Sequence, residues 1–265
     1  MFERRTCLLS VALLLIGTLS AWAAEPVRVR VLTYNIHHGA GTDGKLDLPR
    51  IAAVIRRLEP DLVALQEVDV GTRRVQGVDQ AAELGRLTGM HAVFGKAMDY
   101  GGGQYGEALL SRWPLSDVRV HNLPCTAGRE PRCALAARVQ LGGDGPAVVL
   151  TGTHLEHAAA TLRLCQAGKL APALAAGNDL PAILAGDFNA EPDSPPIRVL
   201  LPHWTDATAG KPEATWPADV PNVKIDYVFF RPAERWRVVQ KQVVEERVAS
   251  DHRPLLVVLE WVSAP

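Results

Sequence analysis

Residues capable of chemistry recur in this sequence at one kind of place, the edge of a short apolar run. Asn35 follows Val31-Leu32-Thr33-Tyr34, and Gln66-Glu67 follows Leu62-Val63-Ala64-Leu65. His154 follows residues 148–153, and Gly186-Asp187-Phe188-Asn189 follows residues 182–185. Asp226 precedes residues 227–230, and Ser250-Asp251-His252 precedes residues 255–259. Carboxylate and amide oxygens are the donors a hard divalent cation prefers. A histidine can move a proton near neutral pH. One Asp or Asn at a strand end is ordinarily a turn former. Six such positions mixing carboxylates, amides and histidines are not what turn formation alone selects.

Such groups need rigid platforms. Residues 27–34 alternate apolar and polar and predict a strand. Residues 48–58 have helical spacing with Pro49 in the first turn, and Glu59-Pro60-Asp61 ends them. Residues 62–65 read as a buried strand. Residues 80–88 read as a helix stopped by Gly89, and 108–111 as a strand ended by Trp113-Pro114. Residues 134–141 and 147–153 predict paired strands around a glycine-rich turn. Residues 158–175 predict a helix, and 182–185, 227–230 and 255–261 predict strands. The stretch 191–223 is rich in proline and polar residues and reads as irregular. Paired strands with interspersed helices predict an α+β fold in which two sheets share one apolar interface under outer helices. No linker or repeat divides residues 24–265, which are expected to form one domain.

The order of motifs is distinctive. Thr33-Tyr34-Asn35-Ile36-His37, Leu65-Gln66-Glu67-Val68, Tyr105-Gly106-Glu107, Thr153-His154-Leu155, Gly186-Asp187-Phe188-Asn189, Ile225-Asp226-Tyr227 and Ser250-Asp251-His252-Arg253-Pro254 resemble the endonuclease/exonuclease/phosphatase superfamily of DNase I-like phosphoesterases. The resemblance spans essentially all of residues 24–265. It implies a four-layer α/β/β/α sandwich and metal-dependent hydrolysis of a phosphoester, with Mg²⁺ (or Mn²⁺) as cofactor. By that resemblance Glu67 is the main metal carboxylate, with Asn35 and Asp251 as accessory metal positions. Asp187 activates or orients the attacking water, and Asn189 donates an amide hydrogen bond to phosphate. His252 contacts the phosphate or assists proton transfer, Asp226 fixes its tautomer, and His154 is a second phosphate-contacting histidine. Tyr105 resembles a family tyrosine near the phosphate, with packing as its other reading. His37, His38 and His157 flank the motifs, as solvated loop residues or substrate contacts. Arg163 and Gln166 read as structural.

Composition narrows the substrate. Residues 1–23 have a positive start at Arg4-Arg5, an apolar run over 8–19 and an Ala21-Trp22-Ala23 ending, the pattern of a signal peptide. The product is expected to be secreted or periplasmic, monomeric and without a membrane span. Removing Glu3, Arg4 and Arg5 leaves 26 basic and 28 acidic residues, a net charge of −2. Duplex DNA is usually held by Lys and Arg, and no dense basic segment exists. Beyond Glu67 there is only Arg73-Arg74, and 191–223 carries five acidic residues against Arg198 and Lys211. The expected partner is a small or lipid-borne phosphoester such as a lipid head group; Trp204 and Trp216 are expected to be buried, with an apolar wall for the ligand as their other reading. A DNase I-like endonuclease is the alternative, and a non-catalytic binding protein on the same fold the rival from another class. Of the cysteines beyond the leader, Cys125 and Cys133 bracket a turn and are either disulfide-bonded or free, and Cys165 is expected to be buried on a helix.

Overall fold

A computed structural model describes residues 26–143, 145–175, 180–210 and 213–262; the leader expected over 1–23 lies outside them. The first βαβ unit is β1 (Arg28–Asn35), α1 (Leu48–Leu58) and β2 (Leu62–Val70). Then follow α2 (Gln80–Thr88), β3 (His91–Tyr100), β4 (Gly103–Ser111), β5 (Leu115–Asn122) and β6 (Cys133–Gln140). The second βαβ unit is β7 (Ala147–His154), α3 (Ala160–Ala175) and β8 (Ala182–Asp187). The chain closes with α4 (Pro195–Leu200), β9 (Thr205–Asp206), β10 (Asp226–Arg231), β11 (Trp236–Val243) and β12 (Leu255–Trp261).

The strands form two six-stranded sheets, ordered β11-β12-β1-β2-β4-β3 and β5-β6-β7-β8-β10-β9. Strand alternation sorts their side chains between layers. Val29, Val31, Leu62, Ala64 and Leu109 of the first sheet meet Leu135, Leu150, Ile183, Ala185 and Val228 of the second in a shared core. Leu32, Tyr34, Val63 and Leu65 face the other way, onto Ile51 and Ile55 of α1 and Ala81 and Leu84 of α2. Leu184, Tyr227 and Phe229 likewise pack on Ala167 and Leu170 of α3 and Ile197 and Leu200 of α4. These three cores separate four layers, the expected α/β/β/α sandwich. Asp47 caps α1 and Asp79 caps α2 by accepting a backbone N–H, and Gly89 closes α2 at φ 71°.

Two expectations need correction, and two alternatives are decided. Cys125 and Cys133 are both free, the first exposed and the second in the core, while Cys165, expected to be buried, is exposed on α3. Trp204 is buried beneath the Arg231 guanidinium, as expected, and Trp216 is 40% exposed. The stretch 191–223 is not wholly irregular, since it contains α4 and β9.

Each sheet contains one parallel pair, β1 with β2 and β7 with β8. The C-terminal ends of all four strands gather at one end of the sandwich. Asp226 opens β10 opposite Asp187, and Ser250-Asp251-His252 leads into β12, which pairs with β1. The topology therefore delivers every motif to the same edge.

Candidate active site

Two backbone devices aim the groups. Residues Gln66 and Glu67 form a bulge on β2, where the register with β4 shifts between Leu65 and Val68. Glu67 sits there at φ 59°, which turns its carboxylate out of the core and into the cavity. Gly186 precedes Asp187, and a Cβ on it would lie 2.0 Å from the Thr153 carbonyl oxygen. Only glycine lets β7 and β8 close there.

Asp187, almost fully buried, is the hub. Asn35 Nδ2 lies 3.1 Å from both Asp187 Oδ2 and Glu67 Oε1, and the Asn189 backbone N–H donates to Asp187 Oδ1 at 2.9 Å. His154 Nε2 and His252 Nε2 stand 3.3 and 3.6 Å from Asp187 Oδ2. His252 Nδ1 is 3.0 Å from Asp226 Oδ2, and Asn189 Nδ2 is 3.0 Å from the Leu155 oxygen and from His154 Nε2. Glu67, Tyr105, His154, Asp187, Asn189 and His252 line one cavity of about 290 Å³, together with Arg74, Tyr100, Arg132 and His157. Asp226 stands behind His252. Asp251 stands at the margin, its carboxylate 4.0 Å from His37 Nδ1, and Ser250 Oγ donates to the Asn35 oxygen at 2.7 Å.

The two histidines are driven to opposite charge states. Burial disfavours the His252 cation, but the Asp226 and Asp187 carboxylates outweigh it and push the ring up to about 10. His154 is held well below its ordinary value by burial, then by Arg132 and His252. Geometry agrees: Arg132 Nη1 lies 2.8 Å from His154 Nδ1. A guanidinium has no lone pair, so Nδ1 accepts from Arg132, as a neutral ring can. Burial raises Asp187 to about 7, with His252 opposing and Asp226 adding to the shift. A carboxylate poised there is well placed to take a proton at neutral pH.

Sequence reasoning passed over Arg132 and Glu107. Arg132, 3% exposed, donates to Tyr105 Oη at 3.3 Å and pairs with Glu130 at 2.9 Å. Its signal was available, a charged residue immediately before the apolar β6, as at the six positions singled out. Glu107 is completely buried, its Oε2 has no hydrogen-bond partner, and burial raises it well above the carboxylate range against the pull of Arg132. His157 is exposed and lies 3.4 Å from Arg132 Nη2. Arg163 and Gln166 bond to main-chain groups of Glu156, His157 and Pro124, in keeping with a structural role. Burial, Arg74 and His37 lower His38 to about 4, so its ring is neutral.

Two groups of ligand-capable atoms lie within 4.8 Å of one another among the described residues, His37-His38-Glu67 and Asp187-Asp226-His252. The second is fully buried, and the His252–Asp226 pairing takes one carboxylate oxygen of Asp226, an arrangement suited to proton transfer. Of the hard-oxygen set expected for Mg²⁺ or Mn²⁺, Glu67 faces the cavity, Asn35 turns its Nδ2 to Glu67 and its Oδ1 to the His37 N–H, and Asp251 stands at the margin.

A two-sheet sandwich with carboxylates, amides and paired histidines at one edge defines a hydrolase type. The profile of the Endonuclease/Exonuclease/phosphatase family matches residues 32–252. The chain belongs to this family, whose members are hydrolases acting on phosphoesters. The uncharacterized protein YbhP of Escherichia coli (strain K12) is 26% identical over 240 residues, 85% of this chain and 94% of YbhP. A solved endonuclease/exonuclease/phosphatase from Beutenbergia cavernae DSM 12333 is 29% identical with a TM-score of 0.71, covering 90% of this chain and 72% of its own. The mannosyl-6-phosphatase Bt3783 of Bacteroides thetaiotaomicron VPI-5482 superposes with a TM-score of 0.72 over 87% of this chain and 99% of its own. At 19% identity that likeness is one of fold.

Proposed function

We propose that this protein is an exported, metal-dependent hydrolase of a small or lipid-borne phosphoester. The observation that carries the reading is the convergence of His154, Asp187, Asn189 and the Asp226–His252 pair on one cavity beside Glu67. Glu67, Asn35 and Asp251 would hold Mg²⁺ or Mn²⁺, which neutralises phosphate charge that otherwise repels the nucleophile. Asp187 accepts a proton from the attacking water. Asp226 holds His252 with Nδ1–H directed at its own carboxylate, which leaves Nε2–H as the donor to phosphoryl oxygen or leaving group. His154 stands neutral beside Asp187, and Asn189 offers an amide N–H. Tyr105 and Arg132 close the wall.

The guanidiniums lining the cavity are already paired, Arg132 with Glu130 and Arg74 with the buried Asp69. Little free positive charge is left to track a polyanion, which favours a single phosphate group. The reading is supported by the fold's likeness to the mannosyl-6-phosphatase Bt3783, a protein named for action on a sugar phosphate. Among the described residues no helix is long and apolar enough to cross a membrane, so a lipid-borne substrate would be met at a surface. The test is a panel of sugar phosphates, bis-p-nitrophenyl phosphate, phosphatidylinositol, sphingomyelin and plasmid DNA, each with Mg²⁺ or Mn²⁺. Turnover of a small or lipid phosphoester is expected. Cleavage of plasmid alone, at catalytic enzyme concentration, would make it a nuclease.

A further inference from the structure

His37 and His38 belong to the signature segment after β1, yet the hard-oxygen reading of the site gives them nothing to do. The structure gives them unusual surroundings. A ring nitrogen of each and a carboxylate oxygen of Glu67 lie within 4.8 Å of one another. His38 Nδ1 is buried without a hydrogen-bond partner. A histidine merely solvated in a loop would present that atom to water, and one merely packed would have a bonded partner. His37 Nδ1 lies 3.2 Å from the Ala40 carbonyl oxygen. That bond places the proton on Nδ1 and leaves the Nε2 lone pair free, the arrangement by which main-chain carbonyls orient ligating imidazoles.

The backbone is strained at the same three places. His37, His38 and Glu67 have φ values of 46°, 44° and 59°, the left-handed region that a few per cent of non-glycine residues adopt, His more readily than Glu. Such strain persists only where surrounding structure holds it, and it concentrates at binding sites. Here the restraints are visible. Gln80 Nε2 donates to the His38 oxygen at 2.7 Å, and its Oε1 accepts from the Asp69 N–H at 2.9 Å. The His37 N–H donates to Asn35 Oδ1 at 3.1 Å. Arg74, the nearby cation, is offset by its two-pronged pairing with Asp69.

We propose that His37, His38 and Glu67 form a binding site for a borderline divalent cation of the Zn²⁺ type, with Glu67 shared with the cavity. The inference rests on Glu67 being the cation carboxylate of the proposed function, and extends it by adding imidazole ligands. Two nitrogens and one carboxylate oxygen suit Zn²⁺ or Co²⁺ better than Mg²⁺, which prefers oxygen and keeps its waters. A tetrahedral ion spaces its donor atoms about 3.4 Å apart, so shifts on the order of 1 Å would close the set. Three protein ligands leave a fourth position for water or a substrate oxygen.

The test uses binding. Metal-free protein is titrated with Co²⁺, read by visible absorption, and with Mg²⁺, read by calorimetry. In parallel the ring ¹⁵N signals of His37 and His38 are followed as Zn²⁺ is added. One equivalent of Co²⁺ with a nitrogen–oxygen ligand field is expected, and both rings shift with Zn²⁺. The double variant His37→Asn/His38→Asn keeps residues tolerant of left-handed backbone and should bind Co²⁺ at least about 100-fold more weakly. Equal Co²⁺ affinity in the variant, or ring signals unmoved by Zn²⁺ in the wild type, overturns the proposal. If the variant does not fold, the wild-type ring signals decide. Mg²⁺ binding abolished by Glu67→Gln with both rings silent would sink this inference alone; a wild type that binds neither Mg²⁺ nor Co²⁺ would sink the proposed function with it.

Discussion

Opposite protonation of two neighbouring histidines is the residue-scale feature from which most of the chemistry follows. His252 is raised by the Asp226 and Asp187 carboxylates against burial, so its pairing stabilises the fold fully below the unfolded histidine value of about 6.5. That contribution is lost as pH rises through about 10. Asp226→Asn should therefore cost most Tm near pH 6 and progressively less toward pH 10, lower the His252 midpoint in an NMR titration, and reduce kcat more than it changes KM. An unchanged His252 midpoint would refute the coupling. Glu107 also loses stability as pH rises, but from a different cause. It is a buried carboxyl raised by desolvation, so it weakens the fold as pH rises above its unfolded value. Glu107→Gln should raise Tm at pH 7 by roughly 2–4 °C, with the gain vanishing near pH 4; a lower Tm at both pH values would show that the carboxylate is satisfied. Glu67→Gln removes a charge without changing shape, so folding should survive while Mg²⁺-dependent turnover falls by about 100-fold or more, the scale of a lost charge contact in the transition state. Full turnover in that variant, or in excess chelator, would reject the assignment.

At the scale of elements, Gly186 has the clearest consequence. Its hypothetical Cβ meets main chain rather than a movable side chain, so Gly186→Ala must part β7 from β8 and displace Asp187. A Tm loss of several degrees is expected, with activity lost even where the protein remains folded; calorimetry and initial rates on one sample would read both, and an active, equally stable variant would contradict the β7–β8 geometry. The elements also show what the sequence could reveal. All eight inner strands are legible as apolar runs, and α1 and α2 fall on their predicted residues because Asp47, Asp79 and Gly89 punctuate them. The strands the sequence hides are β3, β5, β9 and β11, the four outermost strands of the two sheets. An edge strand such as β5 or β11 is largely exposed, so burial imposes no pattern on it. The site was legible wherever a polar group interrupts a buried run. Arg132 carried the same signal, a charge at the edge of a buried run, whereas Glu107 escaped because its role depends on partners outside its own strand, which spacing does not encode. Glu67 was legible as a residue, but the bulge that aims it was not.

Taken whole, the molecule is two βαβ halves whose strand ends meet, with charge balanced close to zero. A net charge of −2 after leader removal, with the cavity arginines already paired, predicts that turnover of a small phosphoester changes less than about threefold between 50 and 200 mM salt. A protein gripping 6–10 phosphates would lose about 10³-fold or more over that range, so a steep fall in kcat/KM would point back to a polyanionic substrate. Export is tested by sequencing the amino terminus of protein recovered from the envelope or medium, which should begin at Ala24 or Glu25; an intact Met1 on cytoplasmic protein would contradict it. The central claim is that water, deprotonated at Asp187 and assisted by His252, attacks phosphorus at a cation held by Glu67. Its most direct test is hydrolysis of the preferred phosphoester in H₂¹⁸O with Mg²⁺ or Mn²⁺, with mass analysis of the products. The account predicts label in the phosphoryl product, turnover abolished by chelator, and no incorporation with Asp187→Asn. Label in the released alcohol, or undiminished labelling of phosphate by Asp187→Asn, would contradict it.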